Sequence, residues 1–290
     1  MSGIVTRTVQ ANGLSFEVDE ADGGDGSRLA LCLHGFPESK FSWRYQLPLL
    51  ARLGYRAWAP NQRGYGGSSR PKGVAAYDID NLVADVEALI AASGAKETLL
   101  IAHDWGAIIA WHCAMRRIRT LTRLVIMNVP HPSRFAEDIR KNRKQQRKSW
   151  YVAFFQLPRL PEWFLTRKKA KAVGEAFRGM AVDKSRFPEE VLEHYRANAL
   201  LPGAATAMVN YYRAARKAGR RMWPEPGTVD VPTLIIWGEE DSALEKSLVP
   251  GTERFVKDLT VHYLPGVSHW VQQEAPEKVN EILEGWLAKG

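Results

Sequence analysis

Asp104 stands in Ala102-His103-Asp104-Trp105-Gly106-Ala107, between an apolar run, Thr98 to Ala102, and an apolar helical stretch, Ile108 to Met115. A side chain lifted on a tight strand-to-helix turn needs small neighbours two residues before and two after it, because a larger side chain there would collide. Ala102, Gly106 and Ala107 meet that need. A carboxylate at the apex is already ionised at neutral pH and attacks an sp3 carbon directly, where a hydroxyl would need a base. Alone, the motif equally fits an aspartate that merely caps the helix. Two distant segments change the balance: Gly238-Glu239-Glu240-Asp241 ends the apolar run Thr233 to Trp237, and Gly266-Val267-Ser268-His269-Trp270 follows Leu259 to Leu264. Nucleophile, acid and histidine in that order, each just past a strand, is the order of a hydrolytic triad. His34-Gly35-Phe36-Pro37-Glu38 follows another apolar run and sets the Phe36 N–H, with that of Trp105, where donors to an oxyanion are expected.

These groups need strand ends to hold them. Leu29 to Leu33, Tyr55 to Ala59, Thr98 to Ala102 and Leu124 to Met127 read as buried strands. Leu82, Val86, Leu89 and Ile90 recur at helical spacing, with Asp78 or Asp80 as cap and Gly94 closing the segment. Strand and helix in alternation imply an α/β class with a mostly parallel sheet flanked by helices. The pattern resumes with strands at Thr233 to Trp237 and Leu259 to Leu264 and a last helix from near Pro276. From His131 to residue 225 no strand is evident, only helical stretches broken at Pro158, Pro161, Pro188 and Pro202. The expectation is one core, residues 1–130 and 228–290, interrupted by a helical cap at 131–227.

The 290 residues, 45% hydrophobic and 25% charged, suit an ordinary globular chain and exclude collagen-like and disordered classes. Formal net charge is +8, but the stretch from 131 to 225 has 21 Lys and Arg against 9 Asp and Glu, and the remainder 19 against 23. The basicity therefore belongs to the helical stretch, above all to the run Arg140 to Lys148. No aromatic residue is interleaved in that run, so nucleic acid is not expected as a partner. A solvated face is the plain reading, with an anionic membrane surface as a candidate peripheral contact. Cys32 and Cys113 sit in apolar runs as buried small residues, and with no leader or membrane-spanning run in view the expected location is the cytoplasm. His112, His131, His194 and His262 read as packing or surface residues, while His34 and His103 read as orienting backbone. No histidine pair or cysteine pair has ligand spacing and no phosphate-binding glycine motif occurs, so neither metal nor cofactor is expected.

Taken together, His34-Gly35-Phe36-Pro37-Glu38-Ser39, Arg63-Gly64-Tyr65-Gly66, His103-Asp104-Trp105-Gly106, Asn210-Tyr211-Tyr212-Arg213 and His269-Trp270 resemble the epoxide hydrolases of the α/β-hydrolase fold, over almost the whole chain. The resemblance implies a detoxifying hydrolase that opens small apolar epoxides to vicinal diols through an ester on Asp104. His269 would be the general base and Asp241 its partner, with Glu240 as fallback. Tyr212 and Tyr151 would donate to the epoxide oxygen, and Phe36, Trp105, Trp150, Phe154 and Trp270 would line the pocket. Haloalkane dehalogenases share the first and third motifs, but they supply an asparagine after His-Gly where this chain has Phe36. The other reading is a basic ligand- or membrane-binding protein with a vestigial site. The chain departs from the family pattern at Ala102, where glycine is commoner, and at Asn61, where aspartate is commoner.

Overall fold

Period-two burial along the apolar runs gives one sheet with a core on each face. The computed structural model describes residues 3–118, 120–222 and 227–289, with strands β1 Val5–Ala11, β2 Leu14–Ala21, β3 Arg28–Leu33, β4 Arg56–Pro60, β5 Glu97–His103, β6 Leu121–Met127, β7 Thr233–Gly238 and β8 Leu259–Leu264. Their order is β1-β2-β4-β3-β5-β6-β7-β8. Neighbours from β4 to β8 pair in parallel, and only the β1–β2 and β2–β4 pairs are antiparallel. The expected α/β class with a mostly parallel sheet is observed.

The helices are α1 Leu47–Arg52, α2 Ile79–Ser93, α3 Trp105–Met115, α4 Pro132–Ile139, α5 Arg143–Lys148, α6 Trp150–Phe154, α7 Leu160–Met180, α8 Glu189–Leu200, α9 Ala204–Ala218, α10 Val271–Glu274 and α11 Pro276–Leu287. In β5, Leu100 and Ala102 join the core that contains Val86 of α2 and Ile109 of α3. Leu99 and Ile101, one residue out of phase, join the core that contains Leu50 of α1 and Leu283 of α11. Burying one such aliphatic side chain contributes about 1.5–3 kcal/mol, so the alternation itself fixes the strand register. Of the two candidate caps on α2, Asp78 occupies the position and accepts from the Asp80 N–H, and Gly94 ends the helix at φ 70°. Cys32 and Cys113 are free and buried.

The hairpin β1–β2 is absent from the expected strands. Its turn, Asn12-Gly13, has positive φ at both residues (49° and 69°), which is the primed turn that an Asn-Gly pair favours. Between β6 and β7 the described residues form helices α4 to α9 and short 3-10 turns; residues 223–226 of the expected cap lie outside the described residues. Helix α7 is kinked at 167–170, where Lys168, Lys169 and Ala170 turn left-handed.

Candidate active site

Strand β5 delivers Asp104 on a strained turn. Its backbone sits at φ 47°, ψ −121°, at the N-cap position of α3, yet its side chain makes no capping hydrogen bond. A non-glycine residue held there costs about 1–3 kcal/mol, which the surrounding structure must offset. A Cβ on Gly106 would run into the Leu33 and His34 carbonyl oxygens, and one on Gly35 into the Asp104 carboxylate. The loop after β3 can therefore close on the aspartate, and the Phe36 N–H donates to Asp104 Oδ1 at 2.6 Å. The Trp105 N–H is the first amide of α3 and is free of the helix ladder.

His269 lies between two carboxylates. Its Nδ1 is 2.7 Å from Asp241 Oδ2, and its Nε2 is 3.7 Å from Asp104 Oδ2. Burial opposes the imidazolium, but the two negative charges outweigh it and push its pKa up from 6.5 to about 10. The same cation, against the penalty of burial, holds Asp241 and Asp104 below the usual carboxylate range. Asp241 Oδ1 also accepts from the Ala243 and Leu244 N–H groups at 2.7 and 2.8 Å, and Oδ2 from Asn128 Nδ2 at 2.7 Å. Asn128, at the end of β6, in turn accepts the Gly238 N–H at 2.8 Å and so locks the end of β7 to the acid. Glu240 is exposed, so of the two candidate acids only Asp241 reaches His269.

Behind Asp104, His269 and Asp241 is a second, fully buried pair. His103 Nδ1 is 2.7 Å from Glu38 Oε2, and its Nε2 is 2.8 Å from the His269 carbonyl oxygen. Both ring nitrogens face oxygen acceptors. Glu38 collects three further donors: the Gly35 N–H at 2.7 Å and the side-chain amides of Gln272 and Gln273 at 2.8 and 2.9 Å. Burial raises the Glu38 pKa, but the His103 charge and these bonds bring it below the ordinary value. His34 differs: burial lowers its pKa to about 4, its Nδ1 donates to the Gly35 carbonyl, and its Nε2 accepts the Gln62 N–H. It is a neutral strut for the Phe36 turn.

Over the aspartate stand rings from α6 and α9. The Tyr212 ring lies 5.3 Å from Phe36, 5.0 Å from Trp105, 4.7 Å from Phe155 and 5.9 Å from Tyr151. Burial and the negative charge of Asp104 push both phenol pKa values well above their ordinary range of about 10, so both remain protonated donors. Tyr211, one residue earlier, points elsewhere and donates to the Arg63 carbonyl at 2.8 Å. Arg213 spans the two helices: it donates to the Phe155 carbonyl at 3.1 Å and the Leu157 carbonyl at 2.6 Å, and pairs with both oxygens of Glu162 at 2.6 and 3.1 Å. It thereby sets the spacing of Tyr151 from Tyr212.

Asp104, His269, Asp241, Phe36, Trp105, Tyr151 and Tyr212 are thus brought together. Phe154 is half-buried against Phe155, and Trp270 is buried against His269 and Phe177. Trp150, expected in the pocket, is not brought to the cluster. It is 64% exposed, and among the described residues its ring meets Phe154 alone. Successive helical residues point about 100° apart, so with Tyr151 turned inward Trp150 faces out. Asn128, Gln272 and Gln273 went unread in the sequence, and Phe155 was read only as one of several aromatics near Tyr151. Only the position of Asn128 at a strand end, and of Phe155 within an aromatic run, gave any signal. Among the described residues no group of three His, Cys, Asp or Glu stands where it could hold a metal ion.

Residues 31–276 match the alpha/beta hydrolase fold family. An AB hydrolase superfamily protein of Bacillus subtilis, YfhM, is 36% identical over 99% of both chains. Epoxide hydrolase 3 of Xenopus tropicalis is 36% identical over 92% of this chain and 73% of its own. Among solved structures, a Bacillus megaterium epoxide hydrolase in complex with an inhibitor superposes with a TM-score of 0.89 at 29% identity, covering 97% of this chain and 100% of that one.

Proposed function

The chain belongs to the epoxide hydrolase family of the α/β-hydrolase fold, and we propose that it opens its epoxide by a covalent route through Asp104. Asp104 Oδ1 is engaged by the Phe36 N–H, which leaves Oδ2 to attack one ring carbon. The C–O bond breaks, and the ring oxygen takes a proton from Tyr212 or Tyr151, whose high pKa keeps the proton available until the alkoxide forms. The product of this step is an alkyl ester. Esterification removes one of the two negative charges beside His269, so its pKa falls; the imidazolium returns a proton to the tyrosinate and becomes a base. His269, oriented by Asp241, then takes a proton from water, and the hydroxide adds to the ester carbonyl carbon. The oxyanion on Oδ1 meets the N–H groups of Phe36 and Trp105. Collapse breaks the bond to the alkyl oxygen, which leaves with the proton from His269, and the water's remaining proton returns His269 to the imidazolium. Residues 131–227 act in this scheme as a lid on a core of 1–130 and 228–290.

The observation that carries this reading is the carboxylate itself: Asp104 sits on a strained turn with one oxygen held by a backbone N–H and the other 3.7 Å from a histidine. A single turnover in 18O-labelled water, enzyme in excess over styrene oxide, tests it. The label is expected in Asp104 and not in the first diol released; label in that diol would overturn the ester route.

A further inference from the structure

The basic run on α5 has two populations. Gln145 and Lys148 are built into the protein: Gln145 donates to the Ala243 carbonyl at 3.0 Å and accepts the Glu245 N–H at 2.8 Å, and Lys148 Nζ meets the Asp241 carbonyl at 2.7 Å and the Glu245 carboxylate at 2.9 Å. Arg140, Lys141, Arg143, Lys144 and Arg147 are exposed and make no ion pair among the described residues. Residues 140–169 hold ten Lys and Arg and one carboxylate, Glu162. That carboxylate is occupied by Arg213. The field of this stretch is therefore strongly positive, with Lys148 neutralised by Glu245.

The chain that follows exposes apolar side chains. Trp150 is 64% exposed, Trp163 54%, Leu160 45% and Leu157 44%. Contacts link the rings: Trp150 to Phe154 at 6.1 Å, Phe154 to Phe164 at 5.6 Å, and the Arg167 guanidinium 5.8 Å from Phe164 and 4.7 Å over Trp163, with Leu157 and Leu160 on the chain between Phe154 and Trp163. Exposed tryptophans and leucines with lysines and arginines on the same surface complement a bilayer interface, whose headgroups are anionic and whose acyl boundary is apolar. A nucleic acid would satisfy the charge, but the aliphatic Leu157 and Leu160 offer it no stacking face.

We propose that α5, α6 and the start of α7 form a docking surface for anionic phospholipid membranes. The surface is separate from the reaction chemistry, yet it shares α6 with Tyr151. From Trp150 the rings run inward through Phe154 to Phe155, 5.8 Å on, and to Tyr212, a further 4.7 Å. Docking would hold the apolar side of the site toward the phase in which an apolar substrate dissolves.

Co-sedimentation of the full chain with phosphatidylcholine vesicles, with and without phosphatidylserine, tests this at moderate and low salt. Binding is expected only with phosphatidylserine and is expected to weaken as salt rises. Arg143→Gln/Lys144→Gln/Arg147→Gln should weaken it at least about tenfold, with turnover of a dissolved epoxide unchanged. Trp163→Ser should weaken it at unchanged net charge, and brominated acyl chains should quench tryptophan emission of the wild type. Circular dichroism checks the folding of each variant, and Lys144→Glu alone replaces the triple variant if that fails. No co-sedimentation at low salt, binding indifferent to the charge changes, or equal retention on RNA with no effect of Trp163→Ser would each overturn the proposal.

Discussion

Asp104, Asp241 and His269 leave the ends of β5, β7 and β8, where main-chain pairing within one sheet and a buried polar network fix them. Tyr151 and Tyr212 ride instead on α6 and α9, which are held to each other by ring packing and by the fork of Arg213. One half of the site is thus built from obligatory backbone bonds, the other from side chains that could be repacked. The difference teaches where geometry is fixed and where it is adjustable: in the proposed scheme the sheet side would supply the nucleophile and base, and the helical side the donors to the oxygen leaving group.

The contrast breaks most sharply at Asp104. Asp104→Ala should lower diol formation by about 10⁴-fold or more, since loss of a nucleophile is not compensated by its neighbours. Activity within about tenfold of wild type in a steady-state styrene oxide assay would move the chemistry off the sheet altogether. Smaller losses are expected on the other side. Tyr212→Phe or Tyr151→Phe should each reduce kcat by about 10- to 100-fold, with the double variant lower still, because either phenol can protonate the ring oxygen while the other stabilises it. If one variant alone equals the double, the two tyrosines do not share the task.

The smallest effect is on stability. His269 has its pKa raised from 6.5 to about 10, so its contribution is complete below pH 6.5 and is lost as pH rises through about 10. The gap in unfolding midpoint between wild type and His269→Gln should therefore narrow by several degrees from about pH 6 to pH 10. A gap constant with pH would show that the folded histidine is not held as the cation.

The same contrast explains what could be read in advance. Six of the eight strands follow from apolar runs bounded by turns, and Asp104, Asp241 and His269 from their places just beyond such runs. The hairpin β1–β2 escaped because the first four residues of β1 are exposed and β2 carries Glu17, Asp19 and Glu20, so neither strand shows a continuous apolar run. Its Asn12-Gly13 turn was the available signal. On the helical side Trp150 and Phe155 could not be sorted, because an aromatic cluster has no phase until its helix is packed. Asn128 and the glutamines around Glu38 serve through long-range bonds that no local pattern encodes.

Glu38 has a consequence for how the protein comes into being. Its carboxylate draws donors from the turn beside it, from the residue before Asp104, and from Gln272 and Gln273, which are among the last twenty residues of the chain. A nascent polypeptide on the ribosome can pair β3 with β5 long before α10 has been made, but until then this charge lacks two of its four donors and must stay in water. The Phe36 turn is therefore expected to close on Asp104 only after Gln272 and Gln273 are in place. A chain arrested short of α10 would carry Asp104, Asp241 and His269 but would lack the two amide donors that hold Glu38 behind the Phe36 turn.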